Sequence, residues 1–115
     1  MKIDYKIWLT PDNSDRKVFG EGPKNLLLKV DEYGSLRQAA SSMNMSYSKA
    51  WGIISNIEKE LNIKILEKQI GGTSGGGSTL TNAARNLINK YTLIDHEISR
   101  YIYTIQKEIL SEGED

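Results

Sequence analysis

Ser35-Leu36-Arg37-Gln38-Ala39-Ala40-Ser41-Ser42-Met43-Asn44-Met45-Ser46-Tyr47-Ser48-Lys49-Ala50-Trp51-Gly52-Ile53-Ile54-Ser55-Asn56-Ile57-Glu58-Lys59-Glu60-Leu61 is the stretch that decides the fold. Ser35 stands three residues before Gln38, the spacing of a capping box, so a helix is expected to start there. Leu36, Ala39, Ala40 and Met43 form its apolar stripe. Asn44-Met45 reads as a turn, and Ser46 can cap a second helix because its hydroxyl can accept a free amide of the first turn. Tyr47, Ala50, Trp51, Ile54, Ile57 and Leu61 recur at helical spacing, and Asn62 can end the helix. Trp51 is read as a packing residue of that stripe rather than a base stacker, the alternative being partial exposure at the edge of DNA. Two short helices joined by a tight turn, with alanines where they approach, form a helix-turn-helix. In that motif the second helix enters the major groove of DNA by its N-terminal end.

Downstream, Ile63 to Ile70 reads as a strand. Gly71 to Ser78 follows with five of the ten glycines of the chain, and Thr79-Leu80 reads as a return strand. Strand, glycine-rich loop and strand directly after a helix-turn-helix make a wing, about residues 63–80. Glycines there let the backbone approach phosphates and sugars. The loop is no nucleotide-binding Walker loop, because Ser78 rather than lysine follows Gly77. Thr81 is an N-cap candidate for a last helix reaching about Leu110. Along it Ala84, Leu87, Tyr91, Ile94, Ile98, Tyr101 and Ile105 alternate at spacings of three and four, a heptad seam. Thirty helical residues span roughly 45 Å, more than the width of so small a domain, so the seam calls for a second copy.

Upstream, Ile3, Tyr5, Ile7 and Leu9 alternate with Lys2, Asp4, Lys6 and Trp8, the period of a half-buried strand. Thr10-Pro11-Asp12-Asn13 is a turn, Val18-Phe19 can pair back, and a first helix opens over Gly20–Pro23 and stops at Gly34. The fold class is α+β and mainly α: a winged helix-turn-helix with an N-terminal strand and a long C-terminal dimerisation helix. Residues 1–80 form the winged domain and residues 81–115 the helix with an acidic tail.

The 115-residue chain carries 15 basic and 15 acidic side chains, which looks unsuited to nucleic acid until charge is read by segment. Residues 36–90 hold seven basic against three acidic groups, whereas residues 91–115 hold two against six. A basic module precedes an acidic tail. With no cysteine and a single histidine, His96 at an outward position of the last helix, thiolate metal sites and histidine-based triads have little to draw on. No metal site and no enzymatic activity are expected. The longest apolar run, Leu26-Leu27-Leu28, is far short of a membrane span, and a cytoplasmic location is expected.

Three pieces together resemble a known family: Ser46-Tyr47-Ser48-Lys49-Ala50-Trp51, the loop Gly71 to Gly77, and Leu80-Thr81 opening the last helix. With Gly34-Ser35-Leu36-Arg37-Gln38-Ala39-Ala40 and Ile57 to Lys68 they are similar to LysR-type DNA-binding domains. The resemblance is closer to the DNA-binding domain of molybdate-responsive regulators of the ModE type, over roughly residues 5–92. It implies a dimeric regulator of transcription that binds duplex DNA at a palindromic site. Ser48 departs from the family, whose members often carry a basic residue there. The family's oxyanion-binding domains have no counterpart before Asp115, so no cofactor and no molybdate binding are expected of this chain.

From the helix-turn-helix reading, Ser46, Tyr47, Ser48, Lys49, Gly52 and Ser55 are the expected base readers. Arg37, Lys68, Gly72, Thr73, Ser74, Gly75 and Arg85 are expected on the DNA backbone. Leu87, Tyr91, Ile94, Ile98, Tyr101 and Ile105 are the expected dimer contacts. The competing function is a winged-helix protein-interaction module that binds no DNA.

Overall fold

A computed structural model describes residues 1–69 and 77–111. Among these residues four helices, α1 Glu21–Tyr33, α2 Leu36–Ser42, α3 Tyr47–Leu61 and α4 Asn82–Leu110, are joined by a two-stranded hairpin, β1 Leu66–Gln69 and β2 Gly77–Leu80, that packs beside them.

The boundaries follow from local chemistry. Gly34 closes α1 in the left-handed conformation (φ 67°), its amide donating to the Val30 carbonyl, a geometry that costs glycine nothing. Ser35 caps α2 by accepting the Gln38 amide at 3.2 Å, and Ser46 caps α3 by accepting the Lys49 amide at 3.1 Å. Asn44 (φ 54°) turns the chain between those two helices, and Asn62 (φ 53°) ends α3. Both are left-handed positions that asparagine tolerates better than most residues.

The core is one cluster. Leu26, Leu27 and Val30 of α1 meet Leu36, Ala39 and Ala40 of α2 and Ala50, Ile54 and Ile57 of α3. Val18, Phe19, Ile65, Leu66 and Leu80 close it, and Ala84, Ile88 and Tyr91 bring the first three turns of α4 into the same cluster. β1 and β2 pair antiparallel in the register Leu66 with Leu80. The hairpin approaches the end of α1 closely at the Gly34 carbonyl. The Ser78 amide donates to the Gly34 carbonyl at 2.9 Å, and a Cβ on Gly77 would collide with that same carbonyl.

The structure departs from the sequence expectations in three places. Ile3, Tyr5, Ile7 and Leu9 are indeed half-buried and their neighbours exposed, but among the described residues only the isolated bridge Leu9–Phe19 forms. The segment lies against α4 instead of in a sheet: the Ile3 amide donates to Gln106 Oε1, Tyr5 bonds Ser99, and the Tyr91 hydroxyl donates to the Ile7 carbonyl at 3.0 Å. A period of two reports one-sided burial, and a helix can provide that side as well as a strand. Tyr91, expected in the dimer seam, is 3% exposed and packs edge-on against Phe19 at 5.5 Å. It lies toward the body of its own chain, where the N-terminal segment and Phe19 enclose it. Trp51, expected in the core, is 44% exposed. At about 100° per residue it falls a quarter-turn round from Ala50, on the flank of α3.

Beyond Tyr91, α4 leaves the body. Leu93, Ile94, Ile98, Tyr101 and Ile109 are exposed along it, and the molecule extends 63 Å in its longest direction. Among the described residues no helix is long and apolar enough to cross a membrane.

Candidate nucleic-acid interface

The surface of α3 opposite the core begins at its cap. Ala50, Ile54 and Ile57 fix the buried side, which turns Tyr47, Ser48, Lys49 and Gly52 out into solvent and leaves Ser55 half-buried. Ser46, also exposed, uses its hydroxyl on the Lys49 amide. That bond orients the first turn of α3, whose remaining amides point off the end of the helix. Gly52 has nothing within 4 Å of the place a Cβ would occupy. A glycine in a helix interior is destabilising by roughly 0.5–1 kcal/mol relative to alanine, and no packing constraint here requires it.

Arg37 joins this surface from α2, its guanidinium 4.3 Å above the Tyr47 ring. The contact holds a planar cation beside the start of α3 while leaving its edge free to donate. Lys68 reaches the same side from β1, where it is exposed. Among the described residues Arg37, Lys49, Lys64 and Lys68 have no carboxylate partner. Elsewhere Arg16 pairs with Glu60, Lys29 with Glu32 and Arg100 with Glu97.

Between α3 and the hairpin runs a cleft of about 250 Å³ lined by Leu36, Tyr47, Trp51, Glu58, Lys64, Leu66, Lys68 and Ser78. The Glu58 carboxylate is engaged there, accepting the Ile65 amide at 2.8 Å. Thr81 anchors the far end of the hairpin: its hydroxyl donates to the Lys64 carbonyl at 2.5 Å and accepts the Ala84 amide at 3.1 Å, capping α4.

Of the expected site residues, the structure gathers Arg37, Ser46, Tyr47, Ser48, Lys49, Gly52 and Ser55 around α3, with Lys68 at its edge. Arg85 stands apart. Its guanidinium is 2.8 Å from Asp31 of α1, and the Arg85 hydrogen bond foremost, with its charge adding and burial opposing, holds the Asp31 carboxyl below its ordinary range. Both side chains are nearly half exposed, so the pair contributes little to stability, but it neutralises the cation. Gly72, Thr73, Ser74 and Gly75 lie outside the described residues. Lys64 and Ser78 were missed by sequence reasoning, and Trp51 was read as core ahead of the alternative of exposure at the edge of DNA. A helical wheel would have set Trp51 off the buried stripe, whereas nothing local brings Lys64 and Ser78 to α3.

A family model described as "Bacterial regulatory helix-turn-helix protein, lysR family" matches residues 25–85. The chain is 32% identical over 83 residues to the transcriptional regulator ModE of Haemophilus influenzae, covering 72% of this chain and 32% of that protein. It is also 32% identical over 80 residues to the DNA-binding transcriptional dual regulator ModE of Escherichia coli K12, covering 69% and 30%. To the molybdenum-pterin-binding protein MopB of Rhodobacter capsulatus it is 29% identical over 84 residues, covering 73% and 31%. The chain thus matches about a third of the length of these relatives. Among solved structures, ArgP from Mycobacterium tuberculosis shares the fold with a TM-score of 0.52 at 18% identity, over 75% of this chain and 31% of that one. These relatives are regulators and binding proteins by name, and residues 25–85 of the family match run from α1 to the start of α4, with α2 and α3 between. The chain belongs to the lysR family of bacterial regulatory helix-turn-helix proteins.

Proposed function

We propose that this chain binds double-stranded DNA in a sequence-specific way and regulates transcription, with α3 in the major groove and the hairpin against the backbone. The observation that carries the reading is the outer surface of α3: exposed Tyr47, Ser48, Lys49 and Gly52, bare backbone at Gly52, and flanking cations without carboxylate partners. Cations gathered beside an exposed helix face and free of carboxylates are placed to meet phosphates. Ser46, Tyr47, Ser48, Lys49, Gly52 and Ser55 read base edges in this arrangement, and Arg37 and Lys68 contact the backbone. Arg85 joins them only by leaving Asp31.

The protein acts as a homodimer through α4. Leu87, Ile94, Ile98, Tyr101 and Ile105 share one side of the helix, and Ile94, Ile98 and Tyr101 are exposed there. Two copies joined along that side present two α3 helices to one face of DNA, about 34 Å or a multiple apart, and require a palindromic site. Tyr91 is not part of this interface.

Selection of bound duplexes from a random-sequence library, followed by titration of the selected site at several salt concentrations, tests the reading. A palindromic consensus and an affinity that falls steeply with salt are expected. Absence of any salt-dependent duplex binding would leave the protein-interaction reading in its place. On the selected site Lys49→Ala should lose about 1–3 kcal/mol of specific binding if the ammonium group reads a base.

A further inference from the structure

We propose that the cleft between α3 and the hairpin seats one sugar-phosphate strand at the edge of the major groove, with Trp51 as its wall. The inference rests on the DNA-binding reading above and adds a contact surface that lies beside the reading face of α3. Three observations carry it. Trp51 is 44% exposed and Tyr47 42%, two large aromatic side chains one turn apart that the core does not use. Both line the same cleft as Lys64, Lys68 and Ser78. Among the described residues the Trp51 indole N–H and the two ammonium groups have no hydrogen-bond or ion-pair partner.

The Glu58 carboxylate in this cleft is taken up by the Ile65 amide, and the remaining polar groups suit a phosphodiester strand. Deoxyribose offers a flat apolar face to an aromatic wall. The phosphate oxygens accept from an indole N–H, a serine hydroxyl and lysine ammonium groups. A base is the poorer occupant. Trp51 sits on the flank of α3 rather than on the row Ser48, Gly52 and Ser55, and a duplex offers no unstacked base for an indole to receive. An acidic peptide would also meet the lysines. However, the cleft continues from a surface already suited to duplex DNA, and a strand bordering that groove reaches it without a second partner. Trp51 is therefore a positioning contact that sets how deeply α3 enters the groove, independent of sequence.

The protein has two tryptophans, Trp8 and Trp51, so a Trp8→Phe protein reports Trp51 fluorescence alone. Its accessibility to acrylamide should fall on adding a 30-base-pair duplex of the selected sequence, and also on adding a random 30-base-pair duplex. Trp51→Ala, shown by its melting curve to be folded, should weaken binding to both duplexes by a similar factor, on the order of 10-fold for one apolar and one hydrogen-bonding contact. Trp51→Phe, which keeps the wall and loses the donor, should fall between. Lys64→Ala and Lys68→Ala should each reduce the salt slope by about one. The proposal is overturned if Trp51 stays equally accessible on DNA, or if a folded Trp51→Ala protein binds both duplexes as wild type. It is overturned equally if Trp51→Ala weakens only the selected duplex, which would make Trp51 a base reader. If the unmodified protein binds neither duplex, the DNA-binding reading fails first, and that result is seen before any variant is compared.

Discussion

Gly52 and Tyr91 show how differently one residue can be constrained. Gly52 lies within a 15-residue helix with open space where a side chain would start, so its cost in helix propensity has no return within the chain. Gly52→Ala should raise the unfolding free energy by about 0.5–1 kcal/mol in chemical denaturation while lowering affinity for the selected duplex. An alanine protein that is more stable and binds equally well would remove Gly52 from the DNA-facing row. Tyr91 is the opposite case. Burial foremost, with Asp95, Glu21 and Tyr5 adding like charge, pushes its phenol above the ordinary tyrosine range, and its hydroxyl holds the Ile7 carbonyl. Because the folded state binds this proton more tightly than the unfolded chain, the stabilisation is complete below about pH 10 and is lost as pH rises beyond it. Tyr91→Phe should cost about 1 kcal/mol at pH 8, and its gap from wild type should narrow in melts above pH 10. Trp51, half in solvent, should be much more tolerant of truncation than a buried indole. Its alanine variant is expected to keep its melting temperature within a few degrees, for a loss of about 1 kcal/mol or less.

At the scale of elements, each helix of the motif starts on a hydroxyl: Ser35 for α2, Ser46 for α3 and Thr81 for α4. Thr81 does more than cap. Nearly buried, it accepts the Ala84 amide and donates to the Lys64 carbonyl, so one side chain fixes the start of α4 against the strand leading into β1. Thr81→Ala removes both bonds and leaves a partly buried carbonyl unpaired. A loss of about 1–2 kcal/mol is expected, while Thr81→Ser keeps the hydroxyl and should recover most of it in the same denaturation measurement. The hairpin is further braced through Ser78 on Gly34, which places the C-terminus of α1, the loop-side end of the paired strands and the start of α2 at one junction. That junction sets the distance between the hairpin and α3, and so the width of the cleft.

At the scale of the whole molecule, the body is one core and α4 is its extension. The N-terminal segment covers one side of α4 through Tyr5, Ile7 and Ile3, leaving Ile94, Ile98 and Tyr101 open on an adjacent side. An uncovered apolar stripe of that length favours association at about 25 cal/mol per Å² buried. Ile98→Glu sets a charge in the middle of the stripe, away from the core. The variant should remain folded by circular dichroism, run as a monomer in light scattering at micromolar concentration, and bind the palindromic duplex much more weakly than wild type. An unchanged dimer mass would place the interface elsewhere.

The helix-turn-helix was legible in the sequence because its signals are local: hydroxyl caps, a left-handed asparagine and a stripe at helical spacing all act within a few residues of themselves. The solvent-facing residues of α3 followed, since fixing the buried side of a helix fixes the other. Three matters were decided only by tertiary packing. The alternation of residues 3–9 specified a buried side but not that α4 would supply it. The seam of α4 was continuous through Tyr91 in sequence, yet Phe19 and the N-terminal segment, distant along the chain, took that residue into the core. Trp51 was read into the buried stripe by its spacing; a helical wheel puts it on the flank of α3, and whether that flank is covered depended on what faced it. There the hairpin leaves a cleft instead of a lid, since its position is set by the Ser78–Gly34 bond and the Thr81 anchor, which join residues far apart in sequence.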